Sequence, residues 1–162
     1  MATKNETKII VEPGKQELFI TREFEAPRKL VFKAWTDAAL ITQWLGPKNL
    51  TMEIDVFEPR NGGEYRYTHI APDGSKYKFR GLYHEVVAPE RTIETFEYEG
   101  WHERGHVSFE TCRFEELPEG RTKLTIQSIF QSVEDRDNMV KAGMERGVRE
   151  GHTRLDELLE RI

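Results

Sequence analysis

The chain has 162 residues, 37% hydrophobic and 33% charged, with 24 Lys plus Arg against 29 Asp plus Glu and a formal net charge of −5. That length suits one domain with a proper core and hardly two, and the acidic balance argues against general nucleic-acid binding, which needs a basic stripe to release counterions. No apolar run approaches the roughly 20 residues of a membrane span, and the opening "MATKNETK" has no apolar signal region, so the cytoplasm is the expected location.

Neither repeats nor low-complexity tracts interrupt the chain. The expected organisation is an N-terminal arm or short strand over residues 1–16 and a single domain over residues 17–162. In "KIIVEPGKQELFITREFEA", the turn signal "EPGK" separates two β-rich runs, so Lys8–Val11 is expected to fold back on a strand over Glu17–Glu25. "APRKLVFKAWTDAALITQWLGP" then changes to helical spacing. Pro27 suits a first helical turn, Thr36-Asp37 marks a break with a new N-cap, and Gly46-Pro47 ends the second of two short helices.

From Leu50 to Phe130 the pattern is β throughout: "LTMEIDVFEP", "GEYRYTHI", "KYKFRGLYHEVV", "RTIETFEYE", "HVSFETCRFEEL" and "RTKLTIQSIFQ". Short Gly- and Pro-containing joints between these six runs make neighbouring strands antiparallel. Cys112 lies in one of them, where a lone thiol behaves as a small buried hydrophobe. After Ser132, paired with Asp135 as a capping signal, helical spacing resumes and predicts one helix of about 30 residues to Ile162. Val140, Met144, Val148, Leu155, Leu158, Leu159 and Ile162 form its apolar stripe. Gly143, Gly147 and Gly151 fall in or beside that stripe. They imply either close packing against the sheet or room left for a cavity.

This order of elements resembles the START-like or Bet v 1-like (SRPBCC) helix-grip superfamily. Within it, the chain is similar to the AHSA1-like group, domains related to the C-terminal domain of the activator of Hsp90 ATPase. The resemblance is carried by "ITREFEAPRKLVFKAWTDAALITQWLGP", "FEPRNGGEYRY", "PDGSKYKFRGLYHEVVAPERTIET" and "GMERGVREGHTRLDELL", in family order from about Ile20 to Leu159. One departure is Val148, where many relatives carry Trp. The resemblance implies an α+β fold: a curved antiparallel sheet gripping a long C-terminal helix, two short helices closing one end, and a cavity between. It implies no shared catalytic motif, since members bind lipids, hormones or polyketides, some are cyclases or hydratases, and others contact chaperones.

"WHERGH" contains His-Glu-x-x-His from His102 to His106, a zinc-hydrolase pattern that works only when a helix puts both imidazoles on one face. Here Gly100, Gly105 and flanking strands leave no room for that helix and no third ligand stands out. The match is read as chance, with no metal, no cofactor and no catalytic residue expected. Trp101, at the loop tip, is instead placed to close a pocket or meet a partner.

The implied cavity supplies the site candidates. Tyr65, Tyr67 and His69 share one strand face; Tyr77, Phe79, Gly81 and Tyr83 share another. They form either an aromatic wall around a ligand or a plain core, and alternation does not say which face is inside. Arg22 alternates with Leu18, Ile20 and Phe24, which points it inward, to a structural ion pair in preference to an acidic ligand group. Trp44 closes the cavity mouth or fills core, and Gly143, Met144 and Gly147 supply the helix side. His84 and His152 are expected at the surface. The function expected is non-catalytic binding of a small hydrophobic or amphipathic ligand by a monomer or weak homodimer. Contact with an Hsp90-type chaperone and a cyclase- or hydratase-type reaction are the alternatives; the first ranks lower because no counterpart of the activator's N-terminal domain is recognised.

Overall fold

A computed structural model describes residues 5–162; residues 1–4 of the expected arm lie outside the described residues. Eight strands form one antiparallel sheet: β1 (Lys8–Ile10), β2 (Glu17–Phe24), β3 (Thr51–Phe57), β4 (Glu64–Ile70), β5 (Lys76–Val87), β6 (Arg91–Tyr98), β7 (Val107–Leu117) and β8 (Arg121–Ile129). Their spatial order is β1-β2-β8-β7-β6-β5-β4-β3. Short hairpins account for every neighbour except β2–β8, where the first long strand closes against the last. β1 does fold back on β2, with Ile9 opposite Ile20. Register shifts at Ile54/Val56 and Tyr83/Glu85 add local twist, which helps the sheet curve.

Helices α1 (Arg28–Thr36) and α2 (Ala38–Ile41) follow β2. Pro27 stands one residue outside α1, in extended conformation, and its carbonyl accepts from the N–H groups of Leu30 and Val31. It is therefore the cap residue and not part of the first turn. The Asp37 carboxylate accepts from Ala39 N and Leu40 N, so the expected break is a true N-cap.

The C-terminal helix departs from expectation. It is two helices, α3 (Val133–Lys141) and α4 (Met144–Arg161), parted at Ala142-Gly143. Ser132 caps α3 by accepting from Asp135 N at 3.0 Å. Gly143 adopts φ +89°, a left-handed conformation that no helix interior contains and that glycine enters without a Cβ clash. Its role is thus to stop α3 and start α4. Periodicity missed the break because the apolar stripe continues in phase across it.

The core is densely packed at one end. Leu155, Leu158 and Leu159 of α4 meet Val31, Phe32 and Ala34 of α1, Ile41 and Trp44 after α2, and Phe24, Phe114 and Leu124 of the sheet. Each fully buried leucine there contributes about 2 kcal/mol relative to exposure. The N-terminal half of α4 has smaller residues facing the sheet, and there Leu18, Ile20 and Phe130 meet only half-buried Met144 and Val148. No helix among the described residues is long and apolar enough to cross a membrane.

Candidate functional site

Between the concave sheet face and the start of α4 lies a cavity of about 710 Å³. Its size falls within the range of small-molecule sites. Tyr65, Tyr67 and His69 on β4, and Phe79 and Tyr83 on β5, all line it, so the face whose direction alternation left open is the inner one. Trp44, Gly143, Met144 and Gly147 line it from the opposite side. Tyr65, Tyr67 and Tyr83 are buried and also form a cluster of their own, so cavity wall and core are the same residues here. Tyr67 stacks on Phe79 with ring centroids 5.1 Å apart, and Phe79 stacks on Phe96 at 5.5 Å.

Gly81 explains how Tyr65 fits. The two residues are cross-strand partners, and a Cβ at Gly81 would come within 2.4 Å of the Tyr65 hydroxyl. The ring lies over the glycine and donates its O–H to Thr95 O on β6. Gly46 does the same for His69, whose ring would meet a Cβ there at 2.5 Å.

The helix glycines divide by cause. Nothing lies within 4 Å of a Cβ built at Gly143, so its conformation, not packing, demands glycine. At Gly151 a Cβ would stand 3.1 Å from Trp44 O and 3.2 Å from Gly46 N, which is close packing, though against the loop after α2 and not the sheet. Gly147 would only touch Pro47, at 3.3 Å.

Arg22 is buried but does not line the cavity. Its guanidinium forks onto Asp156 of α4, with Nη1 donating to Oδ1 at 2.9 Å and Nη2 to Oδ2 at 2.5 Å. Trp44 is 1% exposed and donates Nε1–H to Ala34 O at 3.0 Å, which makes it a fixed wall. His152 is not at the surface: it is 3% exposed, shares a 2.7 Å hydrogen bond with Thr7 Oγ1 and meets the Phe24 ring edge-on. Its helix position hid this, because a histidine inside an otherwise polar stretch carries no sign of burial. His84 is exposed, as expected.

Two residues the sequence reading passed over dominate the electrostatics. Glu94 on β6 and Glu110 on β7 are direct cross-strand partners, and both line the cavity. The register continues from Leu18 through Ser128, Glu110 and Glu94 to Tyr83, one row across five strands. Ser128 Oγ donates to Glu110 at 2.9 Å and Thr92 Oγ1 to Glu94 at 2.9 Å. Burial, then the Glu110 charge, pushes the Glu94 carboxyl up to about 8. Burial also raises Glu110. Only the pairing register reveals them, since along the chain each is one glutamate among many.

The neighbouring groups are all driven to their neutral forms. Burial first, and the two glutamates second, raise Tyr65, Tyr67 and Cys112; burial, then Glu94, raises Tyr83. Burial lowers His69 to about 4, and its Nε2 is buried without a hydrogen-bond partner. Burial, then Arg22 and Arg149, lowers His152 to about 3.

His102–His106 is an irregular loop between β6 and β7, without a helical turn. Arg104 Nε and Gly105 N both donate to the Glu97 carboxylate, and His106 reaches Asp135 of α3 at 3.0 Å. A cleft of about 300 Å³ between this loop and α3 shares Trp101, Ser108, Phe130 and Met139 with the main cavity. Trp101, packed edge-on against Tyr98, therefore stands where the cavity meets the outside.

The profile of the family described as activator of Hsp90 ATPase homolog 1-like protein matches residues 25–160. Among solved structures, a Rhodobacter sphaeroides protein superposes with TM-score 0.86 at 26% identity, covering 97% of this chain and 99% of its own. An Arthrobacter aurescens protein gives 0.85 at 28% identity, with 96% and 92% covered. A Silicibacter pomeroyi protein titled AHSA1 gives 0.73 at 22% identity, with 89% and 97% covered, a likeness of fold alone. No curated protein matches the chain at a significant level.

Proposed function

The chain belongs to the activator of Hsp90 ATPase homolog 1-like family, and from that premise we propose that it binds a small hydrophobic or amphipathic ligand without altering it chemically. One observation carries the reading: a cavity of about 710 Å³ walled by aromatic and aliphatic side chains, with a few polar groups converging at its deep end. Fixed hydrogen bonds at Trp44 and Tyr65 keep that space from collapsing onto itself. The natural setting of this reading is a cytoplasmic monomer or weak homodimer. Native mass spectrometry of gently purified protein, followed by a lipid and metabolite screen, tests it. A bound or captured small molecule supports it; an empty screen together with a side-chain-filled cavity in a crystal opposes it.

A cyclase- or hydratase-type reaction in the same cavity is the second reading, favoured by Glu94. A carboxyl that keeps its proton near neutral pH, inside a cavity that also holds the neutral His69 imidazole, is the equipment of general-acid chemistry. A ligand recovered chemically changed, and unchanged with Glu94→Gln, promotes this reading above simple binding. Chaperone contact rests on the family alone, and the site described here contributes nothing to it.

A further inference from the structure

We propose that the deep end of the cavity is a cation site, and that the ligand is an amphiphile whose amine head sits between Glu94 and Glu110. This rests on the ligand-binding reading above and names the class of ligand. Two observations support it.

First, the two glutamates stand side by side on the inner face, as direct cross-strand partners. Cross-strand partners have Cβ atoms about 5 Å apart, and like charges placed so are destabilising. A fold gains nothing in stability from such a pair on its inner face. Both side chains nevertheless point into the cavity and are held there, Glu110 by Ser128 and Glu94 by Thr92.

Second, among the described residues no cation answers them. Arg146 is the only Lys or Arg of those residues on the cavity wall; its side chain is 63% exposed and engaged by Glu150 and Asn49. The groups facing the pair are Tyr65 and Tyr67 from β4, Tyr83 from β5 and Cys112 from β7, all acids held neutral. A cavity with two carboxyls and no fixed counter-charge favours a cation and rejects an anion. The Tyr65 and Tyr83 rings pack together beside the pair, their centroids 5.3 Å apart.

The apolar body of the amphiphile lies along Tyr67, Phe79 and Met144, which line the same cavity.

Entry of an ammonium group lowers the proton affinity of both carboxyls. Binding therefore releases the proton that Glu94 retains near neutral pH, and tightens as pH rises from about 6 to about 8. No bond forms or breaks beyond that proton transfer to solvent.

Decylamine, decanol and sodium decanoate share one chain and differ in head-group charge. Isothermal titration at about pH 7.5 is expected to rank decylamine at least about tenfold tighter than decanol, and decanol tighter than decanoate. The amine's heat should change with buffer ionisation enthalpy, as proton release requires. In Glu94→Gln/Glu110→Gln, decylamine should fall to within about threefold of decanol, whose own affinity holds. Decanol equal to or tighter than decylamine in the unaltered protein overturns the amine head, while leaving ligand binding standing. So does an amine affinity that ignores the double substitution. If none of the three binds, both the cation site and the ligand-binding reading fall. The comparison of the three compounds needs no variant, so a misfolded variant does not obstruct it.

Discussion

Glu94 and Glu110 stand directly opposite each other across the β6–β7 ladder, on the inner face of the sheet, with Thr92 and Ser128 each holding one carboxyl. The surface they retain opens onto the cavity. Their burial, and after it their proximity, makes the molecule's stability depend on pH in a specific direction.

The raised Glu94 carboxyl keeps its proton in the folded state to about pH 8, whereas the unfolded chain loses it near the ordinary value of 4.5. Between those limits the folded state holds more protons, so the Glu94 contribution to stability is full below pH 4.5 and is lost as pH rises toward 8. Glu94→Gln should flatten that decline and, at about pH 8.5, raise stability by on the order of 2 kcal/mol. Thermal melts of both proteins across the range check this; parallel curves would contradict it.

The buried histidines act on the other side. His69 and His152, lowered to about 4 and about 3, stay neutral when folded, while the unfolded chain protonates them near 6.5. Their contribution is present above pH 6.5 and lost as pH falls through 4 toward 3. Denaturant melts should show His152→Gln gaining stability relative to the unaltered protein as pH falls from about 6 to about 4.

The helix glycines should respond unequally to alanine. Gly151→Ala drives a Cβ against the backbone of Trp44 and Gly46 and should cost about 1–3 kcal/mol despite the better helix former. Gly143→Ala, forced into a left-handed conformation, should cost about 1 kcal/mol. Gly147→Ala should lie near neutral, because its only contact is the Pro47 ring. Equal losses at all three would refute this division.

Val148, on α4, lines the cavity. Val148→Trp should fill part of the space, leave the melting temperature unchanged or higher, and weaken decanol binding by at least about tenfold. Unaltered decanol affinity in a folded Val148→Trp protein would place the ligand elsewhere.

Removing one partner of the Arg22–Asp156 fork leaves a buried guanidinium uncompensated. Asp156→Asn should therefore destabilise the protein by about 2 kcal/mol, less than a fully buried pair because Asp156 retains solvent contact. Decanol affinity should not move, since Arg22 lies off the cavity wall. A selective loss of binding would return Arg22 to the site.

Much of the architecture was legible because periodicity and punctuation agree. The alternation of Tyr65, Tyr67 and His69, the Asp37 cap and the Gly-rich joints each pointed to the element observed. The α3–α4 break was not legible, since Val140, Met144 and Val148 remain in helical phase while Gly143 turns the backbone. His152 was misplaced at the surface because its burial depends on Thr7, far away in the chain. Glu94 and Glu110 escaped notice for the same reason: their meaning lies in a register between strands, and a single strand's pattern carries none of it.

Titrating isotope-labelled protein with decanol while recording backbone amide shifts tests ligand entry most directly. The expected result is saturable shifts confined to cavity-lining positions, among them Tyr67, His69, Phe79, Met144 and Gly147. Shifts scattered over the outer face of the sheet, or none at all, would contradict a ligand-holding cavity.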